Sequence, residues 1–244
     1  MQLVIDIGNT RVKAAIFENK VLIHFFVFDS THELLHSSVF EKYAINECIL
    51  SSVVNEIEPF IALLKEKVKV LSFTADTLTP VKNLYQTAHS LGSDRLAGAV
   101  GGNLLYPNKN VLVIDCGTCI KYNFVTIKNE YIGGAISPGL KMRLNAMHTF
   151  TSRLPLLTVD QLFDTFIATN SNDSILSGAL LGAVAEIDGF IDQYKKRYPD
   201  INVVLTGGDV NFFEKRLKNS IFADQNIILK GLNEILDYNL NRIK

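Results

Sequence analysis

The chain has 244 residues, of which 48% are hydrophobic, and its 24 Lys and Arg residues nearly balance 25 Asp and Glu residues. This length and composition indicate a globular protein of one large or two smaller domains. The balanced charge provides no overall field for nucleic acid or an anionic membrane, so neither is an expected partner and a small molecule is favoured.

The first residues, MQLVIDIG, contain no basic leader, and no window reaches the roughly 18 uninterrupted apolar residues of a membrane span. Cys48, Cys116 and Cys119 are an odd number of cysteines, which argues against a disulfide framework and fits a reducing compartment. We therefore expect a soluble, cytoplasmic protein.

Hydrophobic periodicity predicts secondary structure that starts with three strands, at residues 2–7, 11–17 and 20–28. The next predicted segments are helix 31–43, strand 46–52, helix 56–66, strand 68–73, a polar loop at 74–92 and helix 93–105. Three further strands, at 110–115, 119–127 and 131–136, repeat the opening meander. The remaining predictions are helices 139–148 and 173–197, strand 202–206, and helices 209–218 and 231–241. Alternating helices and strands indicate an α/β protein.

Two stretches of the chain are nearly the same, 3-LVIDIGNTRVKAAIF-17 and 112-LVIDCGTCIKYNFV-125. Both continue from an Asp-x-Gly turn into a second strand, which favours duplication of a domain-sized unit over chance recurrence of a common strand and turn. We predict two halves, residues 1–109 and 110–244, that face each other across a cleft where both turns meet.

The two turns, Asp6-Ile7-Gly8-Asn9-Thr10 and Asp115-Cys116-Gly117-Thr118, each place a carboxylate, a glycine and a hydroxyl at the end of a strand. Glycine allows the backbone to approach a phosphate, and turn N–H and Thr hydroxyl groups can donate to its oxygens. A carboxylate suits a cation that neutralises a transferring phosphoryl group, and Lys13 would add positive charge nearby. The stretch 204-VLTGGD-209 leads from a strand into a helix, which suits a nucleotide but is also an ordinary connection.

Together, these three motifs resemble the phosphate-1, phosphate-2 and adenosine motifs of the superfamily that contains acetate kinase, sugar kinases, Hsp70 and actin. The resemblance implies a duplicated ribonuclease-H-like fold, the actin-like ATPase fold, with two mixed sheets flanked by helices and ATP bound between the halves. One motif narrows the choice, since 85-YQTAHSLGSDRLAGAVGG-102 resembles the Tyr-x-Thr-Pro-x-x-Leu-Gly-x-Asp-Arg segment of type III pantothenate kinase. Further stretches match that family in order: 6–13, 51–54, 133-GGAISPG-139, 151-TSRLP-155 and 177-SG-178.

The family resemblance implies ATP-dependent phosphorylation of pantothenate, the first step of coenzyme A biosynthesis, by a homodimer. It implies that Asp94 accepts the proton of the pantothenate hydroxyl, that Asp115 holds a potassium or ammonium ion, and that Mg²⁺ accompanies ATP. The implied ATP contacts are Asp6, Ile7, Gly8, Asn9, Thr10, Arg11, Val12, Lys13 and Thr118. The implied pantothenate contacts are Tyr85, Gly92, Ser93, Asp94, Arg95 and Ser171.

The chain departs from the family pattern at several positions. Ala88 replaces a proline, Lys121 and Asn123 replace a hydroxyl and a carboxylate after the second turn, and Ser171 replaces a threonine. The last change keeps a hydroxyl, so a hydrogen bond to substrate remains possible.

Other interpretations of these motifs remain open. Asp94 and Arg95 could be a helix-capping residue and a solvated charge pair. The Cys116-x-x-Cys119 spacing could indicate zinc or redox chemistry, although further ligands and an exposed helix N-terminus are absent from the sequence pattern. The whole chain could be a non-catalytic, nucleotide-binding regulator, or a sugar or acetate-type kinase, which would lack the segment from Tyr85 to Arg95. The apolar stretch 178-GALLGAVAEIDGFI-191 suits a dimer interface or an internal core helix equally.

Overall fold

The computed structural model describes residues 1–54 and 56–242, so residues 243 and 244 of the predicted second half lie outside the described part of the chain. Up to residue 109 the elements are β1 (Gln2–Ile7), β2 (Val12–Glu18), β3 (Val21–Phe28), α1 (Thr31–Leu35), α2 (Val39–Lys42), β4 (Glu47–Ser52), α3 (Glu58–Lys65), β5 (Lys69–Ser72), β6 (Lys82–Asn83), a 3-10 turn (Ala88–Ser90) and α4 (Ser93–Leu105). The elements that follow are β7 (Val111–Cys116), β8 (Cys119–Val125), β9 (Glu130–Pro138), α5 (Leu140–Thr149), α6 (Ser171–Leu176), a π-helical turn (Ser177–Leu181), α7 (Gly182–Arg197), β10 (Asn202–Thr206), α8 (Val210–Glu214), β11 (Phe222–Ala223) and α9 (Ile227–Leu240).

The first sheet has the strand order β3-β2-β1-β4-β5. The opening meander pairs antiparallel, whereas β1–β4 and β4–β5 pair parallel, so the sheet is mixed. The apolar residues of β1 from Leu3 to Ile5 are fully buried, because helices cover both faces of this central strand. Asp6 therefore follows a run of the chain that is held firmly in the core.

The second sheet has the strand order β11-β10-β7-β8-β9-β6. Its sequence β9-β8-β7-β10-β11 repeats the β3-β2-β1-β4-β5 order of the first sheet, with β10 parallel to both β7 and β11. The duplication inferred from the two LVID stretches is thus present in the strand topology. The predicted α/β fold with two mixed sheets flanked by helices is confirmed.

The chain divides into two compact units whose limits differ from the two continuous halves expected from the sequence. The first unit contains residues 1–109, 123–133 and those from 226 onward, and the second contains 110–122 and 134–225. The predicted boundary after residue 109 is also a unit boundary. The C-terminal residues belong to the first unit because α9 packs on α4 and on β1.

Helices α4 and α9 approach each other closely within the first unit. A Cβ at Gly101 would lie 2.1 Å from the Ile227 carbonyl oxygen, and a Cβ at Gly231 would lie 1.9 Å from the Ala97 carbonyl oxygen. The two glycines therefore allow backbone-to-backbone contact that any side chain would prevent. This contact fixes α4, the helix that begins with Ser93 and Asp94.

Several predicted elements differ from the observed ones. The helix expected at 31–43 is two short helices, because the Ser37 hydroxyl donates to the Leu34 carbonyl oxygen (2.7 Å) and ends the first one. The helical run Ser171–Arg197 includes a π-helical turn and has a mean hydropathy of 1.5 over 18 residues. That run is long and apolar enough for a membrane span, but core helices of soluble proteins share both properties, so it is weak support for one.

Candidate active site

The first acidic turn joins β1 to β2 in the first unit. A hydrogen bond from Gly8 N to the Arg11 carbonyl oxygen (3.0 Å) closes the turn. Asp6 is buried at the end of β1 and pairs in the antiparallel register with Lys13 of β2, while Thr10 is exposed at the tip. A buried carboxylate beside an exposed hydroxyl and exposed backbone groups suits a phosphate ligand and its cation.

The other residues predicted to contact ATP on this hairpin differ in what they present. Ile7 and Val12 are buried in the strands, so only their backbone groups can reach a ligand. Asn9 is exposed, and Arg11 is exposed and forms an ion pair with Asp29. The hairpin therefore offers backbone groups and short polar side chains more than a cluster of cations.

A pair of serine hydroxyls connects this strand end to α4. Ser51 of β4 is the parallel register partner of Asp6, and its buried hydroxyl lies 2.9 Å from the Ser93 hydroxyl. Ser93 Oγ also lies within donating distance, 3.2 Å, of the Ser52 carbonyl oxygen. Because Ser93 is the first residue of α4, these contacts hold the helix start, and with it Asp94, beside the strand that neighbours Asp6.

Asp94 is a buried carboxylate, 9% exposed, in the first turn of α4. A Cβ at Gly92 would lie 2.7 Å from Asp94 Oδ1, so glycine leaves the space that the carboxylate occupies. The N-cap residue of α4 is Gly92 and not Asp94, which argues against the capping interpretation. A cavity of about 220 Å³ adjoins this helix start and is lined by Ser52, Phe73, Thr74, Ala75, Asn83, Ala88, His89, Leu91, Gly92, Ser93 and Leu96.

Arg95 lies in a buried polar and aromatic cluster of the first unit. Its Nε donates to Asn123 Oδ1 at 2.9 Å, and the Tyr131 hydroxyl donates to the same oxygen at 3.1 Å. The guanidinium carbon is 5.5 Å from the centre of the Tyr85 ring, within the range of a cation–π contact. A Cβ at Gly133 would lie 3.3 Å from that ring. Arg95 is therefore not half of a solvated charge pair.

Tyr85 and Arg95, which the family resemblance implied as pantothenate contacts, lie together in this cluster, and two residues that the sequence did not assign lie with them. Asn123 was recognised only as a departure from the family pattern, and its partner Arg95 is 28 residues away along the chain. Tyr131 carries no local signal beyond its place in a buried strand. Both become visible only when β8 and β9 are folded against α4.

The second acidic turn joins β7 to β8 in the second unit. Gly117 N donates to the Cys119 carbonyl oxygen (3.1 Å), and Gly139 N donates to the Thr118 carbonyl oxygen (3.1 Å). A Cβ at Gly139 would lie 2.1 Å from the Gly117 carbonyl oxygen, so only glycine allows this approach. Thr118 itself is exposed at the turn. Gly139, at the end of the stretch 133–139, therefore supports the turn.

The strand end before Asp209 also approaches this turn. Gly207 has φ of +100° and a Cβ there would lie 2.2 Å from the Cys116 carbonyl oxygen, which accepts a hydrogen bond from Asp209 N at 3.0 Å. Thr206 pairs in register with Asp115, and its buried hydroxyl has no hydrogen-bond partner within the described residues. A buried polar group without a partner points to a ligand or water at this position.

Burial, with a smaller contribution from neighbouring acidic groups, raises pKa values at the second turn. Burial raises the pKa of Asp209, the charge of Lys141 opposes this shift, and the charge of Asp115 adds to it. Burial, with the charges of Asp115 and Asp209, raises the pKa of the Cys116 thiol well above its usual range. A thiol held protonated does not suit redox or zinc chemistry, and the described residues include no group of three His, Cys, Asp or Glu side chains that could hold a metal.

The carboxylate that was expected to hold a monovalent cation already holds an ammonium group. Lys121 Nζ lies 2.9 Å from Asp115 Oδ2, with the two side chains 22% and 12% exposed. A potassium ion at the same oxygen would face the positive charge of Lys121. The donor set of this chain at Asp115 therefore fits a built-in ammonium better than a bound potassium ion.

Ser171, the remaining predicted substrate contact, lies in the second unit at the start of α6. Asn170 caps this helix by accepting from Asp173 N at 3.0 Å. A pocket of about 570 Å³ lies here, lined by Met147, Leu154, Ala168, Thr169, Asn170, Ser171, Ser174 and Ile175. The hydroxyl of Ser171 is exposed and belongs to a pocket large enough for a small ligand.

Similarity to proteins of known structure identifies the fold. A conserved protein of the Baf transcriptional-activator family from Campylobacter jejuni superposes with a TM-score of 0.67 at 19% identity, covering 98% of this chain and 99% of that one. A ROK family glucokinase from Streptomyces griseus, solved with glucose and AMPPNP, gives a TM-score of 0.56 at 10% identity, covering 97% and 99%. At such low identity, these similarities establish the fold alone.

Similarity in amino-acid sequence is more informative than these structural similarities, because it identifies a family. The family model described as type III pantothenate kinase matches residues 2–193. A type III pantothenate kinase of Flavobacterium johnsoniae is 42% identical over 243 residues, covering 99% of both chains, and one of Bacteroides fragilis is 43% identical over 245 residues, covering both completely. The chain belongs to the type III pantothenate kinase family.

Proposed function

We propose that this protein transfers the γ-phosphoryl group of ATP to the primary hydroxyl of pantothenate, giving 4′-phosphopantothenate in the first step of coenzyme A biosynthesis. The observation that carries the proposal is the buried carboxylate of Asp94, which Gly92 and the Ser51–Ser93 contact hold beside the strand that neighbours Asp6. In phosphoryl transfer the protein mainly positions and neutralises, while a carboxylate accepts the proton of the attacking hydroxyl.

The proposed substrate contacts follow from the chemistry of the Arg95 cluster. Asn123 accepts from Arg95 Nε and holds the guanidinium in the cluster. A planar guanidinium fork suits a carboxylate, and we propose that Arg95 contacts the carboxylate of pantothenate. Tyr85, Gly92, Ser93 and Ser171 are the further proposed contacts to this substrate.

For ATP, we propose that the phosphates contact Thr118 and the hairpin from Asp6 to Lys13, that is Asp6, Ile7, Gly8, Asn9, Thr10, Arg11, Val12 and Lys13. Mg²⁺ would accompany the nucleotide and neutralise phosphate charge, held mainly by phosphate oxygens and water with one or two carboxylates. Asp6 is the buried carboxylate of the first turn that suits this role. For Asp115 the resemblance predicts K⁺ or NH₄⁺, and Lys121 offers a second source of the same charge.

A non-catalytic regulator and a sugar or acetate-type kinase are the competing functions. A regulator has no need for a buried proton acceptor, and a sugar or acetate-type kinase would lack the Tyr85–Arg95 pair. The chain retains all three groups in one unit, with the Tyr85 ring 5.5 Å from the Arg95 guanidinium carbon. These contacts favour the pantothenate kinase activity.

We also propose that the protein is a cytoplasmic homodimer. Within the stretch 178–191, the side chains of Ala179, Leu180, Ala183, Ile187 and Ile191 are buried in the second unit, so they serve the core. The same unit exposes several large apolar side chains, each between 77% and 87% accessible, at Phe150, Leu162, Phe166 and Ile167. Exposed apolar side chains of this size favour a partner. Sedimentation at micromolar concentration is expected to give twice the monomer mass, and a monomer would contradict the dimer.

The proposed activity is tested by a coupled assay with ATP and pantothenate, using Asp94→Asn as the diagnostic variant. Removal of the proton acceptor should lower kcat by about 10²- to 10⁴-fold while side-chain size is kept. Calorimetric affinity for ATP should be unchanged, because the residues proposed for ATP are untouched. Parental turnover in a folded Asp94→Asn protein would exclude Asp94 as the base, and a parallel loss of ATP affinity would indicate a structural role.

A further inference from the structure

Lys121 and Asp115 form an ion pair in the second unit that is partly withdrawn from solvent. Lys121 Nζ donates to Asp115 Oδ2 at 2.9 Å, and the side chains are only 22% and 12% exposed. An ion pair with this limited exposure is less screened by water and salt than a surface pair. The ammonium is therefore a lasting feature of the turn rather than a passing surface contact.

The pairing of the two strands in the second hairpin places Lys121 opposite Asp115. In the first hairpin Asp6 pairs with Lys13, and Gly8 N donates to the Arg11 carbonyl oxygen. In the second hairpin the corresponding turn bond runs from Gly117 N to the Cys119 carbonyl oxygen, so the turn is one residue shorter and the residue opposite Asp115 is Lys121. Both halves thus place a lysine across from the acidic residue that ends the first strand.

The surroundings of Asp115 favour one cation rather than two. Asp209 is the nearby second carboxylate, and burial raises its pKa. Lys141 adds a further positive charge near Asp209. A monovalent metal ion added at Asp115 would meet the Lys121 ammonium at close range, and repulsion between the two positive charges would oppose its binding.

We propose that the ammonium of Lys121 takes the place of a bound potassium or ammonium ion at Asp115, so that phosphoryl transfer in this protein does not depend on a monovalent cation. This inference rests on the proposed kinase function, because the charge acts on the phosphates of ATP. Lys121 is a binding residue under this proposal, and its fixed positive charge offsets the charge that develops during transfer.

The test compares the parent protein with Lys121→Thr, Lys121→Met and the control Lys128→Met, whose lysine is exposed in the turn between β8 and β9. Turnover with ATP and pantothenate, calorimetric affinity for ATP and melting temperature are each measured in sodium, potassium, ammonium and choline chloride at equal ionic strength. The parent and the control should show the same values in all four salts, within about twofold for turnover and affinity, because the fixed charge is already present.

The two Lys121 variants should respond differently. Lys121→Met should lose about 10²-fold in kcat, as when one stabilising charge or donor is removed. Lys121→Thr, which replaces the ammonium by a hydroxyl, should bind ATP weakly in sodium and regain about tenfold in affinity and turnover in potassium or ammonium, with a melting temperature raised by those ions alone.

Specific activation or stabilisation of the parent by potassium would overturn the inference, as would parental ATP affinity and turnover in Lys121→Met. If the variants fail to fold, the salt series on the parent decides. Absence of turnover with ATP and pantothenate in every salt would refute the proposed function instead, and the dependence of parental ATP affinity on potassium would still decide the role of Lys121.

Discussion

Close contact between α4 and α9 predicts that a single methyl group added outside the proposed substrate contacts will impair catalysis. In Gly231→Ala the new Cβ would lie 1.9 Å from the Ala97 carbonyl oxygen and 2.8 Å from Gly101 N. Both obstacles are backbone atoms, so rotation of a side chain relieves neither. Relief requires α4 and α9 to separate by about 1 Å, since packed atoms keep to van der Waals distances.

The magnitude follows from two opposing effects. Overpacking of this kind costs about 1–3 kcal/mol or more, and the better helix propensity of alanine returns up to about 1 kcal/mol. We expect a net loss of roughly 2 kcal/mol in the free energy of unfolding, a decrease of about 4–8 °C in Tm for a chain of this size. Ala97 lies one helical turn after Asp94, so the same shift should move the carboxylate by up to about 1 Å and lower kcat by about 10²-fold.

The matched control is Gly189→Ala in α7, where an added Cβ would meet no atom within 4 Å. This variant should keep kcat and gain up to about 1 kcal/mol in stability. Circular dichroism follows unfolding, because the chain contains no tryptophan, and sedimentation checks that assembly is unchanged. If Gly231→Ala matched Gly189→Ala in both stability and kcat, the contact between the two helices would not position Asp94.

Two further predictions concern the polar clusters. Asn123→Asp should raise KM for pantothenate by roughly tenfold, because a carboxylate would pair with Arg95 and compete with the substrate carboxylate; steady-state kinetics check this, and an unchanged KM would remove Arg95 from substrate binding. Glu186 accepts hydrogen bonds from Tyr122, Ser137 and Arg143, and although burial raises its pKa, the bonds from Ser137 and Arg143 lower it overall. A carboxyl group whose pKa is lower in the folded than in the unfolded protein stabilises the fold above the unfolded pKa, near 4.5. This stabilisation is lost as the pH falls through the folded pKa. Glu186→Gln should therefore cost about 1–3 kcal/mol at pH 7, with the difference from the parent shrinking below about pH 4; a difference independent of pH in denaturant titrations would contradict the ionic origin.

The sequence was sufficient for features that depend on local pattern. The boundaries of β1 and α4 agree with the observed elements, and the LVID repeat predicted the common strand order of the two sheets. The last helix was expected from residue 231 but begins at Ile227. Glycine is unfavourable inside a helix, yet Gly231 is kept there because it allows α9 to contact α4. Tertiary packing therefore outweighed local propensity at this position.

Contacts between residues that are far apart along the chain could not be predicted from the sequence pattern. The family resemblance assigned Tyr85 and Arg95 to pantothenate, which stays a prediction, whereas Asn123 and Tyr131 join them only through the pairing of β8 and β9 with the rest of the first unit. The two-residue strands β6 and β11 were also missed, since such short pieces have no measurable alternation. The residues of one segment could be proposed for the candidate site from its motif, whereas residues contributed by several segments could not.

The duplicated hairpins show how one local structure can serve two chemical roles. Asp6 lies beside a strand whose end is tied by serine hydroxyls to α4, so the first hairpin is coupled to the helix that carries Asp94, the proposed proton acceptor. Asp115 instead lies beside Thr206 and accepts a hydrogen bond from Lys121, and we propose that this lysine supplies a fixed positive charge. Because the backbone pattern is shared, the difference arises from the side chains on neighbouring strands. Substitution at those neighbours, more than at the two aspartates, should therefore change cation dependence without loss of the fold.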